Sequence, residues 1–125
     1  MPVPAIAIKD EDFLHRRISI KGQLNPDQTV NSNAYKKDGK PDPEVSVDVS
    51  TLSTVRESRN RAPDTAEFTI GIMSVKSARD LGLQVIHKPT EANPAHTVIL
   101  GNNSKGLCRD LAKATRVATP DELLD

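Results

Sequence analysis

The sequence predicts an α+β fold, with a small mixed or mainly antiparallel sheet of about four to six strands and a C-terminal helix packed on one face. Two observations carry this prediction. In residues 44–50, Val45, Val47 and Val49 alternate with polar residues, which is the period of a half-buried strand. In residues 104–117, apolar side chains recur at the spacing of an amphipathic helix.

The chain has 125 residues, which fits one domain, and we take residues 1–125 as a single unit. Its start alternates weakly through Ile6 and Ile8, which predicts an edge strand or a frayed terminus. Residues 10–18 fit a helix, because acidic residues precede basic ones, but they also fit a strand of period two. Residues 22–43 are rich in turn sequences such as Asn-Pro-Asp and Asp-Gly, so we expect a mostly mobile loop there.

Beyond the valine strand, the sequence predicts a short polar helix from Ser53 and a β-rich segment over residues 65–75. Four elements follow: a helix over 74–81 that Gly82 ends, a strand over 83–87, a buried central strand over 97–100, and the helix over 104–117. Pro120 closes that helix, and we expect residues 118–125 to form a mobile acidic tail. Six residues are predicted to share one core: Val47, Ile72, Val98, Ile99, Leu107 and Leu111.

Composition narrows the classes of partner. The chain has 17 basic and 17 acidic residues and only 2% aromatic residues, so it lacks both the basic balance and the stacking platforms of nucleic-acid binders. No apolar run is long enough to span a membrane, and a single cysteine excludes an internal disulfide, so we expect a cytoplasmic protein. That cysteine, Cys108, lies on the apolar stripe of the last helix and is predicted to be an inert core residue. A nucleophilic pairing with His96 is the alternative.

The turn over residues 101–106 joins the last predicted strand to the last helix, and it is a candidate anion site. A helix N-terminus offers free N–H groups and the positive end of the helix dipole. The candidate ligand-binding residues are Asn102, Asn103, Ser104 and Lys105. The alternative is that Asn103 or Ser104 simply caps the helix, since the spacing of a phosphate-binding P-loop is absent.

Two histidines are candidate catalytic residues. His87 and His96 flank an eight-residue connection, so antiparallel pairing of the two strands would bring them close. With Arg16 they form a candidate set for acid–base chemistry. A metal would need a third ligand such as Glu91 or Asp48, and no diagnostic metal spacing is present, so we predict no metal and no cofactor. The alternative is that His96 donates a hydrogen bond that holds the loop before it, while His87 is solvated.

A third set follows the order of groups in ADP-ribosyl-handling folds, where an early strand supplies a basic residue and later positions supply a serine and a carboxylate. The residues in that order are Arg16, Arg17, Ser32, Ser46 and Asp48. The alternative is a solvated strand face with a charge pair beside it.

Five short segments together resemble a family of small bacterial proteins. They are residues 15–18, 31–36, 44–48, 79–83 and 93–96, and they include the sequences His-Arg-Arg-Ile, Ser-Val-Asp and Asn-Pro-Ala-His. Tyr35 stands where that family has Phe. The resemblance implies a bacterial, intracellular setting and brings no assigned activity.

These observations predict a small accessory or protein-interaction domain, with another protein as its main partner and with neither nucleic acid nor a membrane among its partners. The alternative is an enzyme or binder for a phosphate-bearing small molecule of nucleotide or ADP-ribose type, centred on His96 and the turn 101–106. The two hypotheses differ in whether the candidate side chains face one pocket. A small-molecule site needs His96, the turn and Arg16 or Arg17 to do so, and a protein-interaction domain does not. The sequence leaves open whether the chain is an enzyme.

Overall fold

The computed structural model describes residues 5–124. Within them, one sheet contains six strands: β1 (Phe13–Ser19), β4 (Glu44–Val49), β5 (Phe68–Ser74), β6 (Gln84–His87), β7 (His96–Leu100) and β8 (Arg116–Val117). A separate hairpin pairs β2 (Lys36–Lys37) with β3 (Lys40–Pro41). The α-helices are α1 (Val55–Asn60), α2 (Val75–Asp80), α3 (Lys105–Ala114) and α4 (Pro120–Leu124), and two 3-10 helices span Ser32–Tyr35 and Thr65–Glu67.

The strand order of the large sheet is β6-β7-β4-β1-β5-β8, and each neighbouring pair is antiparallel. The predicted α+β class is therefore confirmed, with the mainly antiparallel form of the sheet. β1 lies near the centre, between β4 and β5, so the N-terminal strand is bonded on both sides. None of the helices within residues 5–124 has the length and apolar composition that crossing a bilayer requires.

The main core lies on one face of the sheet, which we name the α3 face. There the three valines of β4 pack with Leu14 and Ile18 of β1 and with Ile99 of β7. Helix α3 covers them with Cys108 and Leu111, both fully buried. The burial comes from the stripe that the sequence predicted, since residues spaced three and four apart share one side of a helix.

The opposite face, named the α1 face, is covered unevenly. Ile70 and Ile72 of β5 form a small cluster with Ala118, against which Val55 of α1 and Leu123 of α4 pack. At β4 and β6 the same face reaches solvent, because Ser46 is exposed and Ile86 is 44% exposed, while Val98 of β7 between them is buried. This open half of the α1 face is where polar side chains of several strands meet.

The helix ends follow local sequence. Ser104 caps α3 by accepting a hydrogen bond from the N–H of Leu107, as one of the two predicted capping residues. Thr54 and Glu57 form a reciprocal capping box at the start of α1. Gly82 follows α2 with φ of 83°, a left-handed conformation that favours glycine, so this predicted stop is confirmed.

Several predicted elements differ from those observed. Residues 10–18 contain strand β1 and not a helix, because Leu14 and Ile18 face the core at strand spacing. Helix α3 ends at Ala114, and strand β8 follows it before Pro120. Residues 5–9 form no strand, although Ile8 is buried in the core, and the rest of that prediction falls on residues 1–4, outside the described part of the chain.

The predicted core is divided between two faces. Val47, Ile99 and Leu111 are buried on the α3 face, with Leu107 partly buried against them. By contrast, Ile72 packs in the cluster of the α1 face. Val98 is buried too, but its register opposite Ser46 also places it on the α1 face. Alternation along each strand accounts for this split, since neighbouring residues point to opposite faces.

Residues 22–43 hold more structure than the sequence suggested. Val30, Ala34 and Tyr35 are buried in the main core, and the segment contains a 3-10 helix and a short hairpin. The few apolar residues of this segment are thus its anchors. The predicted tail also contains helix α4, whose Leu123 packs on the small cluster. The mobility of both segments stays a prediction.

Candidate functional site

Three polar residues lie side by side on the α1 face. Asp48 of β4 is paired with His96 of β7 on one side and with His15 of β1 on the other. The three side chains point the same way because directly paired residues of antiparallel strands share a face. We name this set the histidine row. It is a consequence of strand pairing between segments that are far apart in the sequence.

Beside the row is a small concavity, named the β4 depression. Its lining residues are His15, Arg17, Ser46, Val47, Asp48, Arg61 and His96. Its volume is about 40 Å³. The space fits one water molecule or one oxygen of a larger ligand, since a water occupies about 30 Å³ in the liquid.

The imidazole of His96 has a partner at each ring nitrogen. Nδ1 lies 2.8 Å from the carbonyl oxygen of Lys88, and Nε2 lies 3.2 Å from Oγ of Ser46. A carbonyl oxygen only accepts hydrogen bonds, so Nδ1 carries the proton and donates it. In the neutral ring Nε2 is then an acceptor, and the hydroxyl of Ser46 is the group that donates to it.

Asp48 is held by two donors from different parts of the chain. Nη1 of Arg61 lies 2.9 Å from one carboxylate oxygen, and Nδ2 of Asn93 donates to the other at 2.8 Å. The Asp48 side chain is only 12% exposed, so these charge-assisted bonds compensate for its burial. Asp48 consequently fixes the loop before β7 and the end of α1 relative to β4.

His15 is the most deeply buried member of the row, at 5% exposed. Its Nδ1 lies 3.1 Å from Oγ of Ser58, which in turn contacts Oγ of Ser53 at 2.8 Å. Nη1 of Arg61 also donates to Ser53, so the network returns to Asp48. Burial lowers the pKa of His15 below its ordinary value, and the nearby Asp48 carboxylate opposes that shift. His15 is thereby kept neutral to a lower pH than an exposed histidine.

Arg17 supplies a cation to the β4 depression. Its Nη1 donates to the backbone oxygen of Arg61 at 2.7 Å. Among residues 5–124, no carboxylate lies within ion-pair distance of its guanidinium. The charge of Arg61, in contrast, is offset by Asp48. The β4 depression therefore has one positive charge that the described side chains leave unbalanced.

His87 lies away from this site. It is paired with Thr97 and not with His96, so the side chains of the two histidines point to opposite faces. His87 is 5% exposed, its Nδ1 accepts from the N–H of Ile6, and its Nε2 lies 2.7 Å from the oxygen of Pro94. The expected solvated position of His87 is wrong, because this side chain is buried and holds the loop at Pro94. His96 donates to the carbonyl of Lys88, at the start of the same loop, as the alternative for that histidine expected.

Arg16 also points to the other face. Nε and Nη2 donate to the backbone oxygen of Ala34, and Nη1 donates to that of Ser46 at 2.8 Å. Each of these bonds goes to a backbone carbonyl, so Arg16 ties the first 3-10 helix to β4. It touches the site only through the backbone of Ser46.

The turn 101–106 lies at the far end of β7 from His96. The strand rise of about 3.3 Å per residue separates the two strand ends by roughly 13 Å. Asn102 is fully buried and donates to the backbone oxygen of Tyr35, while Ser104 is the cap of α3. Asn103 and Lys105 are exposed. None of these residues lines the β4 depression, so the structure does not bring the turn together with His96.

Cys108 is buried against the same turn. Its Sγ lies 3.4 Å from the backbone oxygen of Tyr35 and 3.6 Å from Oδ1 of Asn102. The predicted core position is confirmed.

Within residues 5–124, no group of three His, Cys, Asp or Glu side chains is placed to hold a metal ion.

No family model, no curated protein and no solved structure matches this chain. The resemblance to a family of small bacterial proteins therefore stays a prediction. Three of its five segments nevertheless meet at one place, because His15, Asp48, Asn93 and His96 belong to them and surround the histidine row.

Three of the residues at the site were not among the primary candidates from the sequence. Ser46 was assigned to the polar side of the valine strand, and that alternation was the signal that it shares a face with Asp48. His15 lies in residues 10–18, which fit either a helix or a strand, so the sequence does not fix the face that its side chain occupies. Arg61 reaches Asp48 across 13 positions, and no local pattern in the sequence indicates that contact.

Proposed function

We propose that this chain is a small binding domain that recognises an oxyanion, such as the phosphate group of a small molecule, at the β4 depression. The single observation that carries the proposal is the placement of Arg17 there, with no carboxylate of residues 5–124 within ion-pair distance. A guanidinium has several donors in one plane and suits the geometry of phosphate oxygens. Ser46 and His96 line the same depression beside this guanidinium.

The shape of the site favours a ligand that lies over the sheet. The depression accepts one anion oxygen, and the rest of a ligand would rest on the open half of the α1 face. Ser46 is paired with Val98, which is paired with Ile86 two strands away. With strands about 4.8 Å apart, Ile86 offers an apolar contact roughly 10 Å from Ser46. The hypothesis of a phosphate-bearing small molecule as ligand is therefore supported by the β4 depression and not by the turn 101–106.

Titration of the isotope-labelled protein with phosphate, ADP-ribose and NAD tests the proposal. We expect selective shifts of the backbone amides of Arg17, Ser46 and His96 at millimolar ligand. The amides of residues 102–105 serve as an internal comparison, because they lie at the far end of β7. Shifts confined to residues 102–105 would transfer the anion site to the turn.

A pair of arginine variants sharpens the test. Arg17→Gln removes the unbalanced cation and should abolish the shifts while leaving the fold unchanged. Arg109→Gln removes the same charge from the exposed side of α3, which packs on the opposite face, and should leave them intact. Equal loss in both variants would reduce the interaction to general charge attraction.

A second candidate function is the predicted interaction with another protein, and the position of β6 favours it. Within the described residues β6 is the edge of the sheet and pairs with β7 alone. The N–H of Lys88 donates to the oxygen of His96, so the alternate residues Val85 and His87 direct their backbone groups away from β7. An open edge of this kind can accept a strand from another chain.

The edge can be tested with its own copy first, because two identical edge strands can pair about a two-fold axis. Sedimentation velocity of the wild type should then show a concentration-dependent dimer. Ile86→Lys places a charge on the exposed side of β6 and should return the chain to a monomer. A wild type that stays monomeric over the whole concentration range excludes pairing with itself and directs the search to a different protein.

A further inference from the structure

We propose that Ser46 is a nucleophile activated by His96, and that the chain transfers acyl groups from small activated esters to water. This activity goes beyond the binding role and does not depend on it. The structure has the two parts that covalent catalysis by serine needs: a hydroxyl open to solvent and a base within hydrogen-bond reach. Their separation is 3.2 Å from Oγ to Nε2.

The orientation of the base is set by the backbone. Because the Lys88 carbonyl accepts from Nδ1, the lone pair of neutral His96 faces Ser46 and is free to take its proton. The same two residues are joined again by the N–H of Lys88, which donates to the oxygen of His96 at 2.9 Å. The backbone carbonyl of Lys88, directly after β6, therefore orients the base. In the familiar catalytic triads a carboxylate has this role.

The nucleophile is also held in place. Ser46 lies in the middle of β4, paired with Val98 of β7, and its backbone oxygen accepts from Nη1 of Arg16. Arg17 lines the depression that the hydroxyl faces and is the cation there that Asp48 does not offset, so a positive charge lies near the point where negative charge would develop. Arg16 is a positioning residue in this arrangement, because it contacts the backbone of Ser46 and not the reacting atoms.

The reaction balances without a cofactor. Oγ of Ser46 attacks the ester carbonyl carbon, and its proton moves to Nε2 of His96, while Arg17 offsets the charge on the carbonyl oxygen. The tetrahedral intermediate expels the alcohol, which takes the proton from His96 and leaves Ser46 acylated. Water then attacks the acyl group with His96 as the base, and release of the carboxylic acid restores the serine hydroxyl.

Labelling with a fluorophosphonate tests the reactivity of Ser46 directly. We expect a single covalent adduct in the intact mass spectrum, mapped to the peptide that contains Ser46. Ser46→Ala should remove the adduct, and Ser32→Ala should keep it, because Ser32 lies in the first 3-10 helix away from His96. An unlabelled wild type, or an adduct mapped to another residue, would overturn the proposal.

The role of His96 has its own readout. In the wild type the labelling rate should follow the titration of one group with pH, and in His96→Gln it should fall by at least about 100-fold and lose that titration. The amide spectrum of His96→Gln shows whether the fold is intact. A folded His96→Gln that labels at the wild-type rate contradicts the assignment of the base.

Turnover is measured with p-nitrophenyl acetate. The wild type should show a burst of p-nitrophenol followed by slow release of acetate, and Ser46→Ala should show neither. Ser46→Cys keeps a nucleophile at the same position, so it should retain the burst even if deacylation slows. Loss of the burst in the wild type itself would refute the acyl-transfer activity.

Discussion

The hydroxyl groups of Tyr35 and Thr115 form a polar contact inside the main core, 80 positions apart in the sequence. Thr115 uses its proton to donate to the backbone oxygen of Leu111 at 2.7 Å, because a carbonyl only accepts. The hydroxyl of Tyr35 is therefore the donor to Thr115. Burial raises the pKa of Tyr35, so the phenol keeps that proton at ordinary pH.

This direction of donation predicts an asymmetry between two variants. Tyr35→Phe removes a donor together with its bond and leaves the Thr115 hydroxyl still bonded to Leu111. We expect it to lower the free energy of unfolding by about 0.5–1.5 kcal/mol, the usual net value of one hydrogen bond. Thr115→Val keeps the shape of the side chain but leaves the fully buried Tyr35 hydroxyl without an acceptor.

The cost of that unsatisfied group decides the comparison. A buried donor without a partner costs about 1–3 kcal/mol, and Thr115→Val also removes the bond to Leu111. The double variant Tyr35→Phe, Thr115→Val no longer contains the stranded hydroxyl. We therefore expect it to be at least as stable as Thr115→Val alone, with a coupling of about 1 kcal/mol between the two sites.

Urea unfolding followed by circular dichroism measures all four proteins of this cycle. Circular dichroism is the suitable probe because Tyr35 is the only tyrosine and the chain has no tryptophan, so Tyr35→Phe removes the fluorescence signal. Equal slopes of free energy against urea confirm that the same unfolding is compared. Strictly additive changes, or a Tyr35→Phe variant less stable than Thr115→Val, would refute the assigned direction of the bond.

Four further outcomes are expected. Leu111→Ala should lower the free energy of unfolding by roughly 2–5 kcal/mol in the same urea assay, since Leu111 is fully buried under α3. Gly71→Ala should be destabilising by about 1–3 kcal/mol, because a Cβ there would lie 2.5 Å from Cγ2 of Thr115. Burial lowers the pKa of His15 in the folded chain, so the unfolded chain binds more protons and stability should fall as the pH drops below about 6.5. His15→Gln should lack that part of the slope when urea midpoints are compared between about pH 5 and pH 8. Hydrogen exchange should divide residues 22–43, with protection at backbone amides bonded within the segment and rapid exchange in the remaining turns.

The sequence by itself determined the parts of this protein that depend on neighbours along the chain. The alternating valines of β4, the stripe of α3, the Ser104 cap and the Gly82 stop each follow from a few consecutive residues. Periodicity and capping are local properties, so they can be predicted without knowledge of the fold. The α+β class followed from these elements.

Only the tertiary structure decided which polar residues meet. His87 and His96 lie on neighbouring strands as predicted, yet the register that pairs His87 with Thr97 sends them to opposite faces. A shift of one residue would have put them together, because side chains alternate with a period of two. The same parity places His96, Asp48 and His15 in one row from three strands that the sequence keeps apart.

The site residues also divide into those that local sequence predicts and those that only the tertiary structure places. The alternation in β4 indicated that Ser46 and Asp48 share a face, and this much is local. The other features of the site depend on strand order and on the return of α1 over β1. These features are the contact of Ser46 with His96, the ion pair of Arg61 with Asp48, and the lack of a carboxylate partner for Arg17 within the described chain. Contacts between distant segments are fixed by how the whole sheet assembles, which no window of sequence contains.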